Sequence, residues 1–91
     1  MNLQLNAIYL NESQLEYIIA VKGCIEQDLF NFEFEYFDAQ NAFCELHAVK
    51  TFPSFYLLKN GKIAAIIEGK LEYKELKERL LNITYVNRST Q

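Results

Sequence analysis

The side chains best suited to covalent or redox chemistry in this chain are few: Cys24, Cys44 and a single histidine, His47. A thiol reacts as its thiolate, so what matters is whether a basic group or a helix N-terminus sits beside it. His47 follows Cys44 by three positions, a spacing that puts two side chains on one face of a helix, where the imidazole could activate the sulfur. Against this stands the usual behaviour of a free cysteine, which packs as a small hydrophobe, and of a lone histidine, which sits at the surface. A metal centre made from Cys24, Cys44 and His47 lacks a fourth ligand and any C-x2-C spacing, so neither a metal nor another cofactor is expected. Asn11, Glu12 and Ser13 form a compact polar run that could meet a partner, although Ser13 with Glu16 also reads as a capping box at a helix start.

These groups must be positioned by a small fold. Ninety-one residues suffice for one hydrophobic core and are too few for two. The expected organisation is a single domain over residues 1–86, followed by a flexible tail at 87–91. The net charge is −3 with no run of Lys or Arg, which argues against a phosphate-neutralising surface and hence against nucleic acid. No apolar stretch approaches the roughly 20 residues of a membrane helix, and no basic segment followed by an apolar core opens the chain, so the expected location is cytoplasmic. The Asn-x-Ser/Thr triplets at Asn11, Asn82 and Asn87 are taken as chance in that setting.

Leu3 to Leu10 is apolar and free of breakers, which predicts a buried strand. Ser13 to Asp28 predicts a helix with Leu15, Ile18, Ile19, Lys22 and Ile25 on its buried stripe; Gly23 weakens the last turn. Phe30, Phe32, Phe34 and Tyr36 alternate with Asn31, Glu33 and Glu35, the period of a strand with one wet face, and the acids suit an edge. Gln40 to Val49 predicts a short helix with Phe43, Leu46 and Val49 on one side. Phe55 to Leu58 and Ile63 to Glu68 are strands joined at Asn60-Gly61, whose tolerance of positive φ marks a tight hairpin. Gly69 ends the second of them. Leu71 to Ile83 is a helix with Tyr73, Leu76, Leu80 and Ile83 on one stripe and a Glu75–Arg79 pair outside. The order is strand, helix, strand, helix, hairpin, helix, an α/β mixed sheet with helices on its faces.

The segment Phe52 to Leu81, FPSFYLLKNGKIAAIIEGKLEYKELKERLL, resembles the C-terminal half of thioredoxin in its proline, its Lys-Asn-Gly turn, the Ala64-Ala65 pair, Gly69 and the Leu76-Lys77 helix. Phe37-Asp38 is similar to the end of that family's preceding strand. The resemblance implies a three-layer thioredoxin-like fold with a four-stranded mixed sheet, β-α-β-α-β-β-α in order. It implies a cis bond at Phe52-Pro53 and a backbone before the proline that pairs with a bound peptide. It also exposes a departure. The family's reactive dithiol sits where the first strand meets its helix, and this junction reads Leu10-Asn11-Glu12-Ser13-Gln14 without sulfur. Trp is absent, the strand's buried acidic position falls on Asn6, and the family's N-terminal strand and helix have no counterpart, which should leave 30–36 at the sheet edge. Cys24 and Cys44 would lie on opposite faces, too far apart to pair.

The sequence therefore points to a thioredoxin-fold protein without a redox dithiol, binding a protein or peptide through a groove formed by Asn11, Glu12, Ser13, Thr51, Phe52, Pro53 and Gly69. Phe52 can serve there as an exposed anchor or as core. Two other readings stay open: a single-thiol redox protein using Cys44, and a homodimer subunit pairing through its edge strand.

Overall fold

The computed structural model describes residues 3–28 and 31–89, with side chains within them up to Ile83. Seven elements follow in the expected order: β1 (Leu3–Tyr9), α1 (Glu12–Asp28), β2 (Phe32–Asp38), α2 (Ala42–Leu46), β3 (Ser54–Lys59), β4 (Lys62–Glu68) and α3 (Tyr73–Ser89). The sheet runs β2-β1-β3-β4, with β1 parallel to β2 and antiparallel to β3, and with β3 and β4 as a hairpin. β2 is thus an edge strand, as expected. Asn60 and Gly61 adopt φ of 54° and 83°, the left-handed conformations that close a tight hairpin and that Asn and Gly reach at least cost.

Alternation along the strands divides the core in two. Leu5 and Ala7 of β1, Phe55 and Leu57 of β3 and Ile67 of β4 face α1 and α3, meeting Ile18, Val21, Ile25, Leu76 and Leu80. Ile8, Tyr56 and Leu58 point the other way, where Cys44 and Val49 close over them. Burial of these apolar groups is the main favourable contribution to the fold, of order 25 cal/mol per Å² of apolar surface.

Several side-chain placements differ from the sequence reading. On α1 the buried stripe is Ile18, Val21 and Ile25, whereas Ile19 is 49% exposed and Lys22 reaches out to pair with Glu26. Gly23 does not end the helix, because Val21 and Ile25 on either side of it are packed under the sheet. On β2, Phe32 and Phe34 pack toward α1, but Tyr36 is 39% exposed beside Tyr9 and Phe37 turns to the opposite cluster against Phe43. Phe30 lies outside the described residues. α2 spans only Ala42–Leu46, and Leu46 is 78% exposed. The reason is local: Ala48 takes a left-handed φ of 52°, which breaks the helical rhythm and turns Val49 inward on its own. α3 continues through Ser89, into the segment expected as tail, and its Glu75–Arg79 pair is present at 2.9 Å.

Ser54 carries a buried hydroxyl with no hydrogen-bond partner among the described residues. An unsatisfied buried polar atom carries a desolvation cost, so Ser54→Ala should stabilise the protein by about 1 kcal/mol. Urea unfolding followed by circular dichroism checks it; a loss of stability would mean that the hydroxyl is solvated or bonded.

Candidate functional site

The expected groove residues gather at the start of α1, the loop before β3 and the end of β4. Their local geometry follows from how α1 is capped. Asn11 is the cap, its Oδ1 accepting from the Gln14 amide at 3.0 Å, and the Gln14 Oε1 accepts in return from the Leu10 amide at 2.7 Å. The helix is thus capped two residues earlier than the expected Ser13–Glu16 pair, both of which are exposed, and the Gln14 oxygen takes the amide before the cap rather than the cap's own. Asn11 and Gln14 have the same spacing as Ser13 and Glu16, and asparagine caps as well as serine.

Gln14 was not among the anticipated residues, yet it joins two of the segments that carry them. Its Nε2 donates to the Phe52 carbonyl at 3.3 Å, tying the first turn of α1 to the residue before Pro53. On the far side the Gly69 amide donates to the Pro53 carbonyl at 2.9 Å, with Gly69 at φ 101°. The Phe52-Pro53 peptide is cis. Asn11, Glu12, Ser13 and Thr51 are exposed along this line, Pro53 is buried, and Phe52 packs partly against Ile8, Cys44, Val49, Tyr56 and Leu58. Much of the Phe52 ring therefore serves the core. On the other side of the α1 start, a crevice of about 440 Å³ opens between the ends of β1 and β2.

Neither thiol lies at the start of α1. Cys44 is 5% exposed and its Sγ donates to the Asp38 carbonyl at 3.6 Å. Burial, and after it the Asp38 carboxylate, pushes its thiol above the ordinary value, the opposite of what a nucleophilic thiolate needs. The His47 ring lies tilted 4.4 Å from Phe43 and 6.5 Å from Tyr56, within an aromatic cluster. Cys24, half-buried on α1, is twelve residues beyond Glu12, about 18 Å along the helix at 1.5 Å per residue. Both cysteines are free. Among the described residues no group of three or more His, Cys, Asp or Glu is placed to hold a metal ion, and no helix is long and apolar enough to cross a membrane. Asn6 is buried on β1, its Oδ1 accepting from Gln4 Nε2 at 3.1 Å, while the same Gln4 nitrogen donates to Glu35 at 2.8 Å.

No family model matches the chain, and no curated protein matches it in sequence. Solved structures do match it in shape. A thioredoxin from Fasciola hepatica superposes with a TM-score of 0.74 at 19% identity, over 89% of this chain and 80% of that one. The oxidised thioredoxin of Plasmodium falciparum gives 0.76 at 15% identity, over 89% and 80% of the two chains. A structure described as that of a malarial protein gives 0.75 at 12% identity, over 90% and 97%. At such identities the likeness is one of architecture: the chain has a thioredoxin-like fold.

Proposed function

We propose that this protein is a peptide-binding or adaptor module that uses the groove between the start of α1, Thr51–Pro53 and Gly69, and that it does no dithiol chemistry. The observation that carries this reading is the makeup of the helix start. α1 begins at Glu12, and residues 10–15 contain no sulfur, while both loops that flank such a groove are in place and tied together through Gln14. The polar groups exposed along the groove, Asn11, Ser13 and Thr51, can hydrogen-bond an extended backbone. Two free thiols suit a reducing compartment such as the cytosol.

The test is selection of peptides from a displayed random library, followed by mapping of the bound site on amide chemical shifts. Shifts centred on Asn11–Ser13, Thr51, Phe52 and Gly69 are expected, and Thr51→Arg, at an exposed position, should weaken the selected peptides by about tenfold or more through steric blockage. Failure to enrich any peptide, or shifts centred away from the groove, would refute the reading. Phe52→Asp is a poor substitute, because its effect on the packing around Tyr56 would be confused with an effect on binding.

A further inference from the structure

We infer that the crevice between the ends of β1 and β2 is a second binding site, built for a basic partner segment in which lysine or arginine stands beside a bulky apolar residue. β1 and β2 are adjacent and parallel, yet the chain leaves β1 into α1 on one face of the sheet and leaves β2 into α2 on the other. Connections that diverge in this way leave the ground between them uncovered, which is why ligands of open α/β sheets bind outside the C-terminal ends of such strands. The crevice here holds about 440 Å³. Tyr9 and Leu15 supply apolar wall, and Leu10 at its edge is 60% exposed.

Its charge is one-sided. Glu12 and Asp38 line it, and no lysine or arginine is among its lining residues. The N-terminus of α1 contributes about half a positive charge, which the two carboxylates outweigh. The Asp38 carboxylate is held in place, its Oδ1 accepting from the Gln40 amide at 2.9 Å. The chain's net charge of −3 draws cations in the same direction. Two carboxylates are too few ligands to hold a bare metal ion, whereas an ammonium or guanidinium with an apolar neighbour matches both the charge and the wall. The crevice shares only Asn11 and Glu12 with the groove, and the inference stands whether or not Thr51–Pro53 binds anything.

The experiment compares two labelled peptides of equal length, one alternating leucine with arginine and lysine, the other with glutamate in place of each basic residue, by fluorescence polarisation at about 20 mM and about 150 mM salt. The basic peptide should bind, weaken with salt, and perturb the amides of Tyr9–Glu12 and Asp38–Gln40; the acidic one should not bind. Glu12→Gln with Asp38→Asn, which keeps an acceptor for the Gln40 amide, should reduce the affinity about five- to tenfold. Equal binding of the two peptides, an unchanged affinity in the double variant, or perturbations centred elsewhere would overturn the site. Perturbations confined to Thr51, Phe52 and Gly69 would overturn it while supporting the groove.

Discussion

Glu12→Cys combined with Leu15→Cys should give the protein an insulin-reducing activity that, on the proposed function, the unaltered chain lacks. The two positions lie in the first turn of α1, three residues apart, so their side chains share a helix face. Glu12 is exposed at the helix N-terminus, where the backbone dipole favours a thiolate. A thiol there with a pKa near 7 is roughly half ionised at neutral pH, against a few per cent for an ordinary cysteine, a gain of more than about tenfold in nucleophile. In the reaction the two new thiols are oxidised to a disulfide as an insulin disulfide is reduced to two thiols, and dithiothreitol regenerates the pair. Insulin turbidity reads the activity, and absorbance at 240 nm reads the thiolate. The unaltered protein should show neither, since Cys24 is remote from the groove and Cys44 is buried. Activity in the unaltered protein that Cys44→Ser removes would favour a single-thiol redox role instead. A double variant that folds but stays inert would mean that the helix start does not receive a disulfide.

Alkaline pH should destabilise the fold far more steeply than acid pH near neutrality. Four acids are held above their ordinary values, 9.0 for the Cys44 thiol and 10.0 for the phenols of Tyr17, Tyr56 and Tyr73. Burial is the largest cause in each; Asp38 adds to it for Cys44, Glu68 for Tyr56, and the hydrogen bond to Asp28 for Tyr73. For Tyr17 burial outweighs every other contribution, and the phenol is held protonated where it donates to the Leu71 carbonyl. The folded state thus prefers the protonated forms. Their stabilisation is complete below the ordinary values and is lost as pH rises through the raised ones, because unfolding then releases protons that the native state retains. Each such group removes about 1.4 kcal/mol per pH unit while only its unfolded form ionises. Tyr73 has the largest upward displacement of the four, and Cys44 and Tyr56, each 5% exposed, are the most enclosed. Urea unfolding should show a nearly level stability from about pH 6 to about pH 9 and a progressive fall above that as the unfolded chain loses its thiol and phenol protons first. Cys44→Ala and Tyr56→Phe should flatten that fall. A curve unchanged in both variants would assign it to other groups.

Elements governed by near neighbours were legible in the chain. Asn60-Gly61 announced its hairpin because only residues tolerant of positive φ can make that turn, and Leu76 and Leu80 announced the buried stripe of α3 because one helix face recurs every three to four residues. The edge position of β2 was readable from its alternating glutamates, although Phe30, expected to open it, lies outside the described residues. The cap of α1 was ambiguous: Asn11-Gln14 and Ser13-Glu16 have the same spacing, and the Gln14 contact with the Phe52 carbonyl comes from 38 residues away in sequence. The candidate groove was half visible. Its members could be named from resemblance, but not the glutamine that joins them, nor how far the Phe52 ring is drawn into the cluster around Tyr56.

By itself the sequence determined the order of the elements, the hairpin, the absence of sulfur at the first helix start and the excess of acid over base. Local backbone preference and side-chain period depend on a few adjoining residues, so these properties are carried by the string. Only the tertiary structure decided that Ile19 stays in solvent, that Phe37 is covered by Phe43 while Tyr36 is left partly exposed, that Cys44 is enclosed beneath Asp38, and that an acidic crevice opens between β1 and β2. Each of these depends on which distant element covers a given face, and where no element arrives, even a large apolar side chain remains exposed.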